Sequence, residues 1–385
     1  MKRLKYILLI SAAALAVACG KHIPQPDQPD SPSLSRSYIF FDEEVMDCAE
    51  TKTTIVEGDK LPSADGTAFG VMGYVNGNVI FNNSTYHQNG IAEVKRNGAG
   101  YDKSFTYQGL IQWTDATSRH NFYAFYPYKF SNLISVGNDQ MPYIRYAQAT
   151  TTDKMDDILT ASAGLQKRPI VTLTFQHRLW ALDVTVKNER EEKDLVYNPE
   201  TGNHDELDPF IIIKKLTVEL DGIPSEGNIY LNGNVSLPTD PSKIVKLTKT
   251  FNLNKQYNPG TGETVTGEDS FLFLPCGSFK YRLTVEFENA LGMSYTTRYP
   301  ETYKVDGNGN PILANGELQW DWATAQGPDR DNNGTKDGFL AGNRYTLDIV
   351  KDDYEVKFIW KETDWGEWNE EAQQWDNIRV EHSFS

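Results

Sequence analysis

Positive charge is in short supply in this sequence: 37 Lys and Arg stand against 53 Asp and Glu, which gives a net charge of −16 and a pI near 4.9. A surface of that sign repels phosphate backbones and anionic headgroups at long range, so nucleic acid is not an expected partner. Cysteine is almost absent, with Cys19, Cys48 and Cys276 the only three in 385 residues. Neither these nor the scattered His22, His87, His120, His177, His204 and His382 form a CxxC, an HExxH or an i, i+2 pair, so no zinc site follows from spacing. GxSxG, Walker and GxGxxG signatures are missing too. Paired carboxylates could still act without a local motif, but nothing points to a catalytic set, and the expectation is a protein that is not an enzyme and requires no cofactor. Helical periodicity is also missing. No segment keeps apolar residues at i, i+3, i+4, i+7 for a dozen positions, which argues against doubly wound and parallel-barrel folds.

What is present begins with an address. Lys2, Arg3 and Lys5 precede an apolar stretch from Tyr6 to Val17 that is short for a membrane span, and Ala16-Val17-Ala18-Cys19 ends it with small residues and a cysteine. Residues 1–18 thus resemble a bacterial lipoprotein signal peptide with Cys19 as the lipidated residue, although Ala16 stands where such signals usually carry Leu. The other reading is an ordinary secretory peptide in which Cys19 is incidental. With lipid on Cys19 the chain would be held at the outer membrane and displayed on the cell surface. Residues 19–37 carry Pro24, Pro26, Pro29 and Pro32 among polar neighbours, the composition of a stiff, extended tether.

From about Tyr38 the pattern has period two. Val171, Leu173 and Phe175 alternate with Thr172, Thr174 and Gln176; Tyr281, Leu283, Val285 and Phe287 alternate with Arg282, Thr284 and Glu286; Tyr345, Leu347 and Ile349 alternate with Thr346 and Asp348. Each reads as a strand with one buried face. Further aromatic or β-branched runs span Phe69 to Val75, Phe122 to Tyr126, Ile211 to Leu220 and Phe271 to Leu274, and Asn76-Gly77, Asn232-Gly233 and Asn315-Gly316 are turn signals. The expected fold is all-β, in antiparallel sandwiches. At roughly 150 residues per domain the length suggests two. Glu189-Arg190-Glu191-Glu192-Lys193-Asp194 followed by Asn198-Pro199 is the strongest shift in composition. It divides the chain into an N-terminal sandwich at 38–188, a linker at 189–209 and a C-terminal sandwich at 210–385, unless it is a long solvated loop within one domain.

Several segments, taken in order, resemble the fimbrillin-like family, whose members are lipoprotein-derived subunits of type V pili. They are Thr51-Lys52-Thr53-Thr54 with Glu57-Gly58-Asp59-Lys60, Phe69-Gly70-Val71-Met72-Gly73-Tyr74, Asn121 to Tyr128, Asp157 to Ala161 and Val171 to Leu179. In the second half, Phe271 to Pro275, Ala341 to Tyr345 and Ile359-Trp360 continue the series. The resemblance implies two tandem transthyretin-like sandwiches and a role as pilus subunit or pilus-associated adhesin, with other pilus subunits as partners and a host glycan or protein as a further ligand. It also implies that a protease removes the first strand, here Tyr38 to Phe41 or onward to Val45, so that another subunit's strand can fill the groove. The matching cleavage position is the bond after Lys52, where the family usually has Arg. Cleavage after Arg36 would release the lipid and leave the strand in place.

Three further sets stand out. Asp329, Asp331, Asn333 and Asp337, with Gly334 between, have the spacing by which a tight loop wraps Ca²⁺, though Leu340 occupies the place of the closing Glu; the same residues also suit an Asp/Asn-rich turn. Trp365, Trp368 and Trp375, with Trp320, Trp322 and Trp360 near in sequence, could stack on sugar rings or pack inside a sandwich. The alternative function that follows is a glycan-binding surface lipoprotein using tryptophans and a calcium loop. Finally, Ile378, Val380 and Phe384, with His382 the one polar interruption, alternate with Arg379, Glu381 and Ser383, a one-sided strand that could be donated to a neighbour or close its own sandwich.

Overall fold

The computed structural model describes residues 40–43, 61, 67–81, 90–97, 104–109, 111, 113, 119–137, 140–166, 170–266, 270–330, 333–364, 367–369 and 374–376. Its first half holds β1 (Phe40–Glu43), β2 (Ala68–Val75), β3 (Asn78–Val79), β4 (Ile91–Asn97), β5 (Ser104–Thr106), β6 (His120–Tyr126), β7 (Ile134–Val136), β8 (Pro142–Ala147), β9 (Leu159–Gln166), β10 (Ile170–Leu173) and β11 (Gln176–His177). The middle holds β12 (Trp180–Asn188), β13 (Asp194–Asn198), β14 (Asn203–Leu207), β15 (Ile211–Pro224), β16 (Glu226–Tyr230), β17 (Val235–Ser236), β18 (Ile244–Tyr257), β19 (Thr261–Thr264) and β20 (Phe271–Phe273). The last part holds β21 (Phe279–Asn289), β22 (Ser294–Tyr299), β23 (Leu313–Ala314), β24 (Glu317–Leu318), β25 (Ala323–Ala325), β26 (Asn343–Lys351), β27 (Val356–Asp364), β28 (Glu367–Asn369) and β29 (Gln374–Asp376). Two 3₁₀ helices, Tyr128–Leu133 and Thr152–Lys154, are the helices among the described residues.

The first sheet runs β11-β9-β6-β2-β4-β5, with β3 attached to β2. Its central strand is buried on both faces, since Val71 packs among Phe69, Phe122 and Val171 while its neighbour Met72 packs among Phe125, Ile134 and Ile144. Gly70 is required there: a Cβ would overlap the Phe125 ring lying across it. Asn76 and Gly77, both at positive φ, make the tight turn from β2 to β3 as the Asn-Gly signal predicts, and Asn315 and Gly316 do the same between β23 and β24.

The second sandwich packs β19-β12-β26-β27, with β20 on β12, against β18-β15-β21-β22, with β25 on β21. Leu182, Val184 and Val186 from one sheet and Leu216, Val218, Leu283 and Val285 from the other share one apolar cluster. Trp180 sits at one end of it, its ring 4.8 Å from those of Phe273 and Phe339 and 5.5 Å from that of Tyr345. Two of the period-two readings hold: Val171, Leu173 and Phe175 are buried while Thr172 and Thr174 are exposed, and Tyr281, Leu283, Val285 and Phe287 are buried. In the third, Tyr345, Leu347 and Ile349 are buried as expected, but Arg344, Asp348 and Val350 on the other face are buried too, because β26 is an inner strand of its sheet. Fully burying each large apolar side chain contributes about 1.5–3 kcal/mol, which is what these alternations supply.

The topology does not follow the division at 189–209. Strand β12 pairs in parallel with β26, Ala181 opposite Arg344 through Asn188 opposite Lys351, so the chain enters the second sandwich at Trp180. The charged run lies where β12 leaves the core, and residues 194–207 form the β13–β14 hairpin. The hairpin β16–β17 then returns to the first half, where Gly227 faces Tyr146 and Ile229 faces Ile144 in a sheet ordered β17-β16-β8-β7. The Gln148 side chain fastens the halves further: its amide donates to the Leu272 carbonyl at 2.8 Å and its carbonyl accepts the Leu274 N–H at 3.2 Å.

Candidate functional site

The predicted first strand is seated in the core. Strand β1 pairs in parallel with β10, Phe40 opposite Ile170 through Glu43 opposite Leu173, and in the hydrogen-bonded order the two make a sheet of their own. Phe41 is only 5% exposed, and its ring lies 5.7 Å from that of Tyr107 and 5.5 Å, edge on, from that of Phe122. Val171 and Leu173 from β10 join the same cluster, with Phe69, Val71, Phe81 and Phe175 around them. Among the described residues this four-residue strand hydrogen-bonds with β10, and its Phe41 ring is held in the core.

The other residues singled out in the sequence fall as follows. Cys19, Arg36, Lys52, Asp331, Trp365, Ile378, Val380 and Phe384 lie outside the described residues, and Trp368 and Trp375 are described only as backbone positions paired opposite one another in the β28–β29 hairpin. In the acidic loop the two Asp329 carboxylate oxygens accept the N–H groups of Asn333 at 3.0 Å and Gly334 at 2.7 Å, and Asn333 Oδ1 accepts that of Thr335 at 2.7 Å. Asp337 accepts the Arg330 N–H at 2.8 Å. Among the described residues no group of three or more His, Cys, Asp or Glu could hold a metal ion. Trp360 is buried, and the faces of Trp320 and Trp322 carry the guanidinium groups of Arg298, 5.0 Å away, and Arg282, 4.1 Å away.

His177 is a core residue, as its place after an inward-facing strand suggests, with Nδ1 2.8 Å from an Asp157 carboxylate oxygen. Cys276 is a free thiol whose pKa burial pushes up to about 12, with a hydrogen bond from the Trp180 side chain acting in the opposite sense. That leaves it protonated and a poor nucleophile near neutrality.

Sequence reasoning missed two charge clusters and a groove. Arg344 Nε lies 3.1 Å from Asp183, whose carboxylate also accepts the Thr266 hydroxyl at 3.0 Å, all of it buried. Arg330 reaches out of the acidic loop to Glu362, donates to the Tyr345 hydroxyl at 2.6 Å and to the Gly338 carbonyl at 3.2 Å, and pins the loop to the core. The groove, of about 1160 Å³, runs between β22 and β27 with Phe287, Leu291, Met293, Tyr295, Val356 and Phe358 among its lining. At its floor the Tyr299 and Phe358 rings meet at 4.7 Å. Leu291 and Met293 on the turn before β22 and Tyr295 on β22 itself are exposed, 39%, 45% and 42%, a cluster of apolar side chains beside the groove that the sequence shows only as apolar residues in a turn segment.

Comparison with known proteins gives a consistent result. A family model described as fimbrillin-like matches residues 53–365. A fimbrial protein from Bacteroides vulgatus shares 12% identity and superposes with a TM-score of 0.52 over 86% of this chain and 99% of that one. A candidate cell adhesion protein from Bacteroides uniformis shares 17% identity, TM-score 0.45, over 87% of this chain and 100% of that one. The C-terminally truncated tip fimbrial protein Mfa3 from Porphyromonas gingivalis shares 11% identity, TM-score 0.36, over 78% and 95%. No curated protein matches the sequence.

Proposed function

Because this chain belongs to the fimbrillin-like family, we propose that it is a non-catalytic fimbrial subunit, carried to the cell surface on lipid at Cys19 and built into a pilus with other subunits by strand exchange. The observation that carries this reading is the seat of β1: a short strand that, among the described residues, pairs with β10 alone and is held by Phe41 between Tyr107 and Phe122. Residues 40–43 precede Lys52 in the sequence, so cleavage after Lys52 would take β1 away with the tether and the lipid, whereas cleavage after Arg36 would leave β1 seated. The opened slot would expose unpaired backbone groups beside β10 and the apolar cluster beneath Phe41, and a donor strand would satisfy both. The tail bearing Ile378, Val380 and Phe384 has the one-sided pattern of such a donor.

The test is limited digestion of the lipid-free precursor with a Lys-specific and with an Arg-specific protease, followed by electron microscopy. Cleavage after Lys52 should release the N-terminal segment and start fibre growth, and Lys52→Gln should stay monomeric under the Lys-specific enzyme. Fibres formed with β1 still attached would refute exchange at this slot.

A further inference from the structure

The groove between β22 and β27 is the open side of the second sandwich. Among the described residues neither strand has a neighbour on its outer edge, β22 closing one sheet and β27 the other. The β22 side offers Leu291, Met293 and Tyr295 partly to solvent, and the two lysines of β27, Lys357 and Lys361, are engaged by Asp352 and Asp348. Two uncovered edges flanking an apolar floor accept an extended chain better than they accept a compact ligand.

We propose that this groove is a strand-binding site and that in the unassembled subunit it is filled by the chain's own residues 377–385. Three features select that occupant. Two residues separate β27 from the β28–β29 hairpin, which reverses the chain, so Asp376, the last described residue, pairs with Glu367 and lies beside the start of β28, three residues on from the end of β27. The nine residues 377–385 span about 30 Å when extended at roughly 3.3 Å per residue, the length of the nine-residue β27. In that register Phe384, with His382 on the same face, would reach the floor formed by Phe287, Tyr299 and Phe358, while Ile378 and Val380 would lie along the C-terminal half of β27. This deepens the strand-exchange reading and rests on it in one respect: a tail docked at home is withheld from a neighbour, so the groove would restrain assembly until a better slot appears.

Hydrogen exchange read by mass spectrometry on the full mature chain tests the docking itself, without reference to fibres. Truncation after Asp376 should speed exchange in 294–299 and 356–362 by about tenfold or more while leaving β12 and β15 unchanged, and a synthetic peptide of residues 377–385 added in excess should restore protection. Val380→Asp in the full chain should give the same local loss and serves if the truncated chain does not fold. Exchange at these edges that is indifferent to both changes overturns the proposal. So does protection that grows with protein concentration, which would assign the groove to a second copy. Fibre formation is scored separately, so failure of exchange at β1 and failure of the tail at this groove remain distinct results.

Discussion

Trp360 donates its indole N–H to the hydroxyl oxygen of Tyr281 across 3.1 Å, tying the edge strand of one sheet to an inner strand of the other. Both side chains are buried, 2% and 3% exposed, so neither group has easy recourse to water. The Tyr281 hydroxyl is pushed far above the ordinary phenol range by burial, so it stays protonated at any working pH. Tyr281→Phe should cost about 1–3 kcal/mol, because it leaves a buried donor without this acceptor. Chemical denaturation reads the change as a lower midpoint with an unaltered slope.

The β1 anchor invites a second substitution. Phe41→Ala removes a ring from a closely packed cluster and should destabilise the first sandwich by about 3–5 kcal/mol. If β1 is the strand that is exchanged, the same change should hasten its loss and bring fibres forward after limited proteolysis. A stable variant with unchanged fibre kinetics would show that Phe41 does not hold the strand.

Arg330 and Glu362 give a third. Arg330→Met strands a carboxylate that is buried among Asn343, Tyr345 and the loop backbone, and should cost about 3 kcal/mol. Adding Glu362→Gln should recover part of that loss, since a neutral amide tolerates the site better than an unpaired charge. Two single losses that simply add would mean the pair is uncoupled.

Asp352 supplies a pH dependence. Its carboxylate accepts the N–H groups of Glu355 at 2.7 Å and Tyr354 at 2.9 Å and pairs with Lys357 at 2.7 Å, and these hydrogen bonds bring its pKa down to about 2. A depressed carboxylate stabilises the fold fully above the unfolded-state value near 4 and loses that contribution as pH falls toward about 2. Asp352→Asn should therefore flatten the acid limb of the stability curve between pH ~4 and ~2 and lower stability at neutral pH. Equal acid sensitivity in wild type and variant would contradict it.

For the acidic loop, Asp329→Ala should lower the melting temperature by a similar amount in chelator and in millimolar calcium, since Asp329 already holds the Asn333 and Gly334 amides. A loss seen only with calcium present would instead identify a weak calcium site.

Alternation marks Val171, Leu173 and Phe175 and the Tyr281 series because a half-buried strand writes its environment into every second residue. It marks the apolar face of the Tyr345 series as well, but there Arg344, Asp348 and Val350 are buried too, and the second face is covered by ion pairs that spacing does not announce. Strand β12 shows the limit of that signal: Trp180, Leu182, Val184 and Val186 alternate with Ala181, Asp183, Thr185 and Lys187, which marks a strand and its apolar face but not the sheet it joins, and Asp183 is itself buried against Arg344. The hairpin β16–β17 was illegible as a return to the first half because pairing with β8 is set by tertiary register and not by local propensity. In the Asp329 loop, the residues that would bind a cation are also those that cap a turn, and sequence spacing does not separate the two uses. The Phe41 seat was legible only as an apolar strand; its partners, Tyr107 and Phe122, come from distant segments.

The return of β16–β17 to the sheet of β7 and β8 has a mechanical consequence for a molecule strung in a fibre. Two beads on a flexible string lengthen under load by straightening the string. Here the second half holds a clasp laid across the first, with Glu226 through Tyr230 matched residue for residue to Tyr143 through Ala147. Tension that pulls the halves apart must break that ladder of bonds and withdraw Ile229 from the interior before any slack is gained, so the subunit should behave as a stiff link whose extension is governed by its rate of rupture.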